Sequence, residues 1–142
     1  MGKKRVIQKA IGGSDSSSAR VAKLPKKKLE FGILNIISTY NNTIVSLSDA
    51  GGDILLSSSC GALGFKGARK GTPYAASKVS ELVAERSKLI GLKEVGIKVR
   101  GIGSGRESAI RTFASKGFEI RFIKDLTPVP HNGPKPPKPR RV

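Results

Sequence analysis

The run Val95-Gly96-Ile97-Lys98-Val99-Arg100-Gly101-Ile102-Gly103-Ser104-Gly105-Arg106 joins a β-branched, alternating segment to a glycine-rich turn and then to a helix start. Val95 to Arg100 reads as a strand, because β-branched residues alternating with polar ones suit a pleated surface. Gly101 to Gly105 forms a tight loop. A helix follows from about Arg106 to Lys116, with Ala109, Ile110, Phe113 and Ala114 on one side and Gly117 closing it. Phe118 to Lys124 alternates again, so a further strand completes a β-α-β unit. A β-α-β unit implies parallel strands in a sheet covered by helices.

The chain before this unit supplies three strands and one more helix. Phe31 to Thr39 is apolar and β-branched. Tyr40-Asn41-Asn42 reads as a turn, with asparagine tolerating positive φ. Thr43 to Asp49 is a second strand, Ala50-Gly51-Gly52-Asp53 a hairpin turn, and Ile54 to Ser59 a third strand. Residues 60–72 are glycine-rich. Thr72-Pro73 then opens a helix, with threonine as cap and proline at the first helical position. Ala75, Ala76, Val79, Leu82, Val83, Leu89 and Ile90 make its apolar stripe, and Gly91 ends it. The element order βββαβαβ predicts an α/β fold: one three-layer domain, residues 31–125, around a mixed five-stranded sheet.

Two extensions flank that body. Formal net charge is +17 over 142 residues. Residues 1–30 carry +7, residues 31–125 carry +6, and residues 126–142 carry +4. The first arm contains Gly12-Gly13-Ser14-Asp15-Ser16-Ser17-Ser18, which reads as flexible, and ends in Lys26-Lys27-Lys28. The tail, Leu126 to Val142, has six prolines, four lysines or arginines and no acid. Proline stiffens it toward an extended polyproline path, so ordering it on a partner costs little entropy. It is either a solvated tail or an arm for a polyanion. So large a charge repels itself until an anionic partner neutralises it. Neither arm holds an amphipathic basic helix for lipid, which leaves nucleic acid.

Other classes fall away. The one cysteine, Cys60, allows no internal disulfide, and Cys60 with the one histidine, His131, cannot build a conventional zinc site. No apolar run is long enough to span a membrane, and no hydrophobic signal region follows Met1-Gly2-Lys3-Lys4-Arg5. A Cys60–His131 nucleophile pair would place its histidine in a Pro-flanked tail with nothing rigid to orient it. Central acids are scattered rather than paired. Neither an enzyme nor a cofactor is expected.

Two glycine-rich segments remain as anion sites. Gly101 and Gly103 match the first positions of a dinucleotide fingerprint, but Arg106 stands at the third, where close helix–strand packing needs glycine. The surviving possibility is a turn that either aims amides at a phosphate between Arg100 and Arg106 or is a plain tight turn. Gly61 to Pro73 brings Lys66, Arg69 and Lys70 to a helix N-terminus, which itself attracts anions. That loop is either a phosphate site or simply mobile.

Four segments taken together resemble the ribosomal protein S11 family (uS11) of the small subunit, in its bacterial or organellar form. They are Tyr40-Asn41-Asn42-Thr43, Gly64 through Ala76, the Arg100–Arg106 turn, and Asp125 through Arg141-Val142, which includes Pro130-His131-Asn132-Gly133. They stand in the family's order and spacing across residues 31–142. The chain departs from it at Pro134-Lys135, where Cys-Arg is usual, at Ile102 and Ser104, where proline is frequent, and at Pro139, where a basic residue is common.

The resemblance implies a structural rRNA-binding protein of the small-subunit platform, bridging rRNA helices near the mRNA exit cleft. It implies ribosomal proteins S7 and S18 as neighbours, with mRNA and translation initiation factor three as further partners, in a cytoplasmic or organellar ribosome. The residues expected to face RNA are Asn41, Asn42, Lys66, Arg69, Lys70, Arg100, Arg106, His131, Asn132, Lys135, Lys138, Arg140 and Arg141. The rival readings are a small nucleotide-binding enzyme built on Gly101–Gly105 and a general nucleic-acid compaction protein.

Overall fold

The computed structural model describes residues 25–141. Of the basic arm expected over residues 1–30, residues 1–24 lie outside the described residues, as does Val142. Strand β1 spans Phe31–Ser38, β2 Thr43–Ser48 and β3 Ile54–Ser59; helix α1 spans Pro73–Ile90, β4 Glu94–Arg100, α2 Gly105–Ser115 and β5 Glu119–Asp125. The glycine-rich segment before α1 contains a 3-10 turn, Gly67–Gly71, which its composition had not announced. The α/β class, the element order and the single mixed sheet are as expected from the sequence.

The strands lie in the order β3-β2-β1-β4-β5. β2 runs antiparallel to both β1 and β3, and β4 runs parallel to β1 and β5. Four strands therefore point the same way and end together, at Ser38, Ser59, Arg100 and Asp125.

Both helices pack on one face of the sheet and against each other. The described residues thus form two layers, where the element order alone had suggested three. Topology explains this. The β3-α1-β4 and β4-α2-β5 connections both join parallel strands and both step across the sheet in the same direction. Right-handed crossovers of the same sense put their helices on the same side.

The core lies between helices and sheet. Leu34, Ile36, Val45, Leu47, Val95, Ile97 and Val99 are buried there against Ala75, Ala76, Val79, Val83, Ala109 and Phe113. Each fully buried large side chain contributes about 1.5–3 kcal/mol. Phe113 stacks on Phe118 with ring centroids 4.5 Å apart. The buried Ser80 hydroxyl donates to the Ala109 carbonyl at 2.7 Å, pinning α1 to α2. Leu89 departs from the expected stripe and is 72% exposed. At roughly 100° per residue it sits about 120° around the helix from Val83, off the core-facing side.

The Thr39–Thr43 turn also differs from expectation in how it is made. Neither Asn41 nor Asn42 adopts positive φ. Instead the Thr39 amide donates to the Asn42 carbonyl at 2.8 Å, the Asn42 amide to Thr39 Oγ1 at 3.2 Å, and the Thr43 amide to Asn42 Oδ1 at 2.9 Å. Side-chain oxygens close the turn in place of a left-handed residue.

Candidate nucleic-acid interface

The shared carboxyl end of β1, β3, β4 and β5 feeds four segments: the Thr39–Asn42 turn, the Cys60–Thr72 loop, the Gly101–Ser104 turn and the C-terminal tail. Every residue expected to face RNA lies in one of them or at its junction. Glycine lets the segments interlock. At Gly71 an added Cβ would stand 2.3 Å from the Tyr40 carbonyl oxygen, so the loop end lies directly on the hairpin tip. Gly101 has φ 101 and a Cβ there would meet the Ser38 carbonyl oxygen at 2.1 Å. Only glycine allows both the torsion and the approach. The Ser104 hydroxyl donates to the Gly71 carbonyl at 3.0 Å, and the Gly103 amide to the Ser38 carbonyl at 2.9 Å.

Lys66, Arg69 and Lys70 sit in or beside the 3-10 turn that leads into α1. Lys66 and Arg69 are exposed and Lys70 is half-buried. The turn is held from behind: Thr72 Oγ1 donates to the Arg69 carbonyl at 2.7 Å and accepts from the Ala75 amide at 3.3 Å, capping α1 as expected. The first turn of α1 carries no acidic residue, so its positive dipole end adds to the three cations.

Arg100 and Arg106 behave differently. Arg100 is exposed at the end of β4. Arg106 is partly buried and turned inward: Nη1 donates to the Gly101 carbonyl at 2.6 Å and Nη2 to Asp125 Oδ2 at 2.5 Å. It staples the glycine turn to β5. The Gly101 amide is likewise used, donating to Thr127 Oγ1 at 3.2 Å, as is that of Gly103. Those two amides are therefore spent within the fold rather than offered to an outside anion.

The tail leaves β5 through Leu126, whose amide donates to the Val99 carbonyl at 2.7 Å. From Pro128 onward every described residue is exposed, including His131, Asn132, Lys135, Lys138, Arg140 and Arg141. Cys60 is fully buried in the body, so the structure does not bring it together with His131.

Charge divides along the strand axis. Glu30, Asp49, Asp53, Glu94 and Glu119 lie at the opposite end of the sheet, where Lys27, Lys93 and Arg121 pair with Asp49, Glu30 and Glu94. Glu81 and Glu85 on α1 are served by Lys78 and Lys116. At the loop end the acids are Asp125, engaged by Arg106, and Glu107 in the first turn of α2. Among the described residues Lys66, Arg69, Lys70 and Arg100 form no ion pair. Four basic side chains without an ion-pair partner, gathered at one end of the sheet, suit a phosphate chain.

The family profile of ribosomal protein S11 matches residues 32–141. The chain belongs to that family. It is accordingly a small-subunit ribosomal protein, an rRNA-binding structural constituent of the translation machinery. The match begins one residue into β1 and runs through the tail, so it takes in all four segments of the loop end.

Two residues at this end escaped the sequence reading of the site. Tyr40, at the hairpin tip, is 76% exposed, and Tyr74, in the first turn of α1, is 65% exposed. Lys78 lies over the Tyr74 ring at 5.8 Å, and Phe65 meets that ring edge-on at 6.1 Å. Exposed aromatic rings suit unstacked bases. The available signal was scarcity: these are the chain's two tyrosines, Tyr40 beside the Asn41-Asn42 turn and Tyr74 just after the basic glycine-rich loop.

Proposed function

We propose that the loop end binds small-subunit rRNA through phosphate and sugar, with residues 31–125 as the body and residues 126–142 as an arm laid along the RNA. In this reading the protein is non-enzymatic. It sits on the small-subunit platform, bridges separate rRNA helices near the mRNA exit cleft, and has ribosomal proteins S7 and S18 as neighbours. mRNA and translation initiation factor three are its further partners, in a cytoplasmic ribosome of bacterial type or an organellar one. Asn41, Lys66, Arg69, Lys70, Arg100 and the tail from His131 to Arg141 carry the contacts, with Tyr40 and Tyr74 offering stacking faces. Asn42 and Arg106 hold the surface in shape.

The observation that carries this reading is the unpaired set Lys66, Arg69, Lys70 and Arg100 at one end of the sheet, with most acids gathered away from it. The test is co-sedimentation with small ribosomal subunits through a moderate salt wash, with duplex DNA as competitor. Retention on the subunit against excess DNA supports the proposal. Equal binding to DNA would identify a general compaction protein instead.

A further inference from the structure

Asp125 is an acid placed where cations collect, and on charge alone it opposes phosphate binding. It is fully engaged by its neighbours. Oδ1 accepts from the Thr127 amide at 2.9 Å and the Thr127 hydroxyl at 2.6 Å, while Oδ2 accepts from Arg106. The Thr127 hydroxyl also accepts from the Gly101 amide, and Arg106 also holds the Gly101 carbonyl. The result is a clasp that locks the first tail residues to the glycine turn.

Beyond the clasp the chain is stiff. Pro128 comes next and Pro130 two residues later, so the departure direction fixed at Thr127 persists for several residues. The path then bends once. Asn132 has a left-handed φ of 54, and Gly133 lies so near Pro130 that an added Cβ would be 2.8 Å from the proline Cβ. Lys135, Lys138, Arg140 and Arg141 stand past this elbow, all exposed.

We infer that Asp125 and Thr127 are positioning residues: their clasp on Gly101 and Arg106 aims the tail so that its cations and the glycine-rich loops engage one RNA together. The inference rests on the RNA-binding role proposed above. Two linked contact sites bind more tightly when the link holds both in register, because the second contact then forms at high effective concentration. Asp125 needs no contact with RNA to matter.

The test uses the full-length protein and small-subunit rRNA transcribed in vitro. Asp125→Ala, Thr127→Val and Thr127→Ser are made in the native tail and in a tail with Lys135, Lys138, Arg140 and Arg141 all changed to Ala. In the native tail, Asp125→Ala and Thr127→Val should each weaken binding about tenfold, and Thr127→Ser, which keeps the hydroxyl, should not. In the neutral tail the same changes should have almost no effect. Losing a negative charge would by itself tighten phosphate binding, so tighter or unchanged binding by Asp125→Ala in the native tail overturns the inference. An equal loss in both tails does so too, since the residues would then act on the fold or touch RNA directly. Failure of the unmodified protein to bind this RNA is a distinct result, which removes the RNA reading and the inference with it.

Discussion

The Ser104 hydroxyl donates to the Gly71 carbonyl at 3.0 Å, joining residues 33 apart in the chain. That bond ties the end of one glycine-rich segment to the end of the other. Behind it the Gly71 backbone rests on the Tyr40 carbonyl. The cations of the loop are therefore held by backbone packing rather than by partners for their charges.

Gly71→Ala should consequently disturb the body as well as the surface. The new Cβ would meet backbone, which cannot rotate away, and such overpacking costs about 1–3 kcal/mol. Urea denaturation should show the midpoint falling without loss of cooperativity. An unchanged midpoint would mean that the hairpin tip and the loop end separate easily.

Arg100 and Arg106 should part company when each is replaced by alanine. Arg100 has no ion-pair partner among the described residues, so its loss should leave the melting curve in place and reduce the salt slope of rRNA binding by about 0.7–0.9. Arg106 holds both the Gly101 carbonyl and the Asp125 carboxylate, so its loss should lower the melting temperature. Identical behaviour in the two variants would contradict the distinct roles assigned to them.

Much of this architecture is legible in the sequence because local chemistry determines it. Alternating β-branched residues mark the strands, Thr72-Pro73 caps α1 as read, and Gly91 and Gly117 stop the helices with φ 92 and 90. Legibility fails where a partner is distant in sequence. Nothing local to Arg106 reveals that Asp125, 19 residues later, turns it inward. The Asn41-Asn42 turn points to left-handed φ by composition, yet the Thr39 hydroxyl and the Asn42 side chain close it by another route. Leu89 passes for a stripe residue until its angle around α1 is set against that of Val83. The element order does not state on which face each crossover falls, and so leaves the number of layers open. At the site, charge and glycine content point to segments that the fold brings to one end of the sheet, but they cannot separate cations that face outward from those spent on the fold.

Acid should loosen the clasp. Hydrogen bonds from the Thr127 hydroxyl first, then from Arg106 and the Thr127 amide, hold the Asp125 carboxyl down from the usual 3.8 to about 2. A folded-state value below the unfolded one means that its stabilising effect is complete above about pH 4 and is lost as pH falls through about 2. Thermal melts of the native protein and of Asp125→Asn should differ at pH 6 and converge toward pH 2. A difference that stays constant across that interval would show that the carboxylate charge is not what holds the clasp.

Phe113 tests the packing between the helix layer and the sheet. It is fully buried and stacked on Phe118, so Phe113→Ala should cost about 3–5 kcal/mol. Chemical denaturation measures this directly. A cost below about 1 kcal/mol would show that the layer tolerates a cavity the size of a phenyl ring.

The central claim is that the unpaired cations of the glycine-rich loop neutralise rRNA phosphates. Replacing Lys66, Arg69 and Lys70 together by alanine in the full-length protein, and following small-subunit rRNA affinity across a salt series, tests it most directly. Affinity should drop at low salt and the slope of log affinity against log salt should shrink by roughly two to three, with the melting curve unmoved. Unchanged affinity and slope in a folded variant would contradict the claim and take this loop out of the interface.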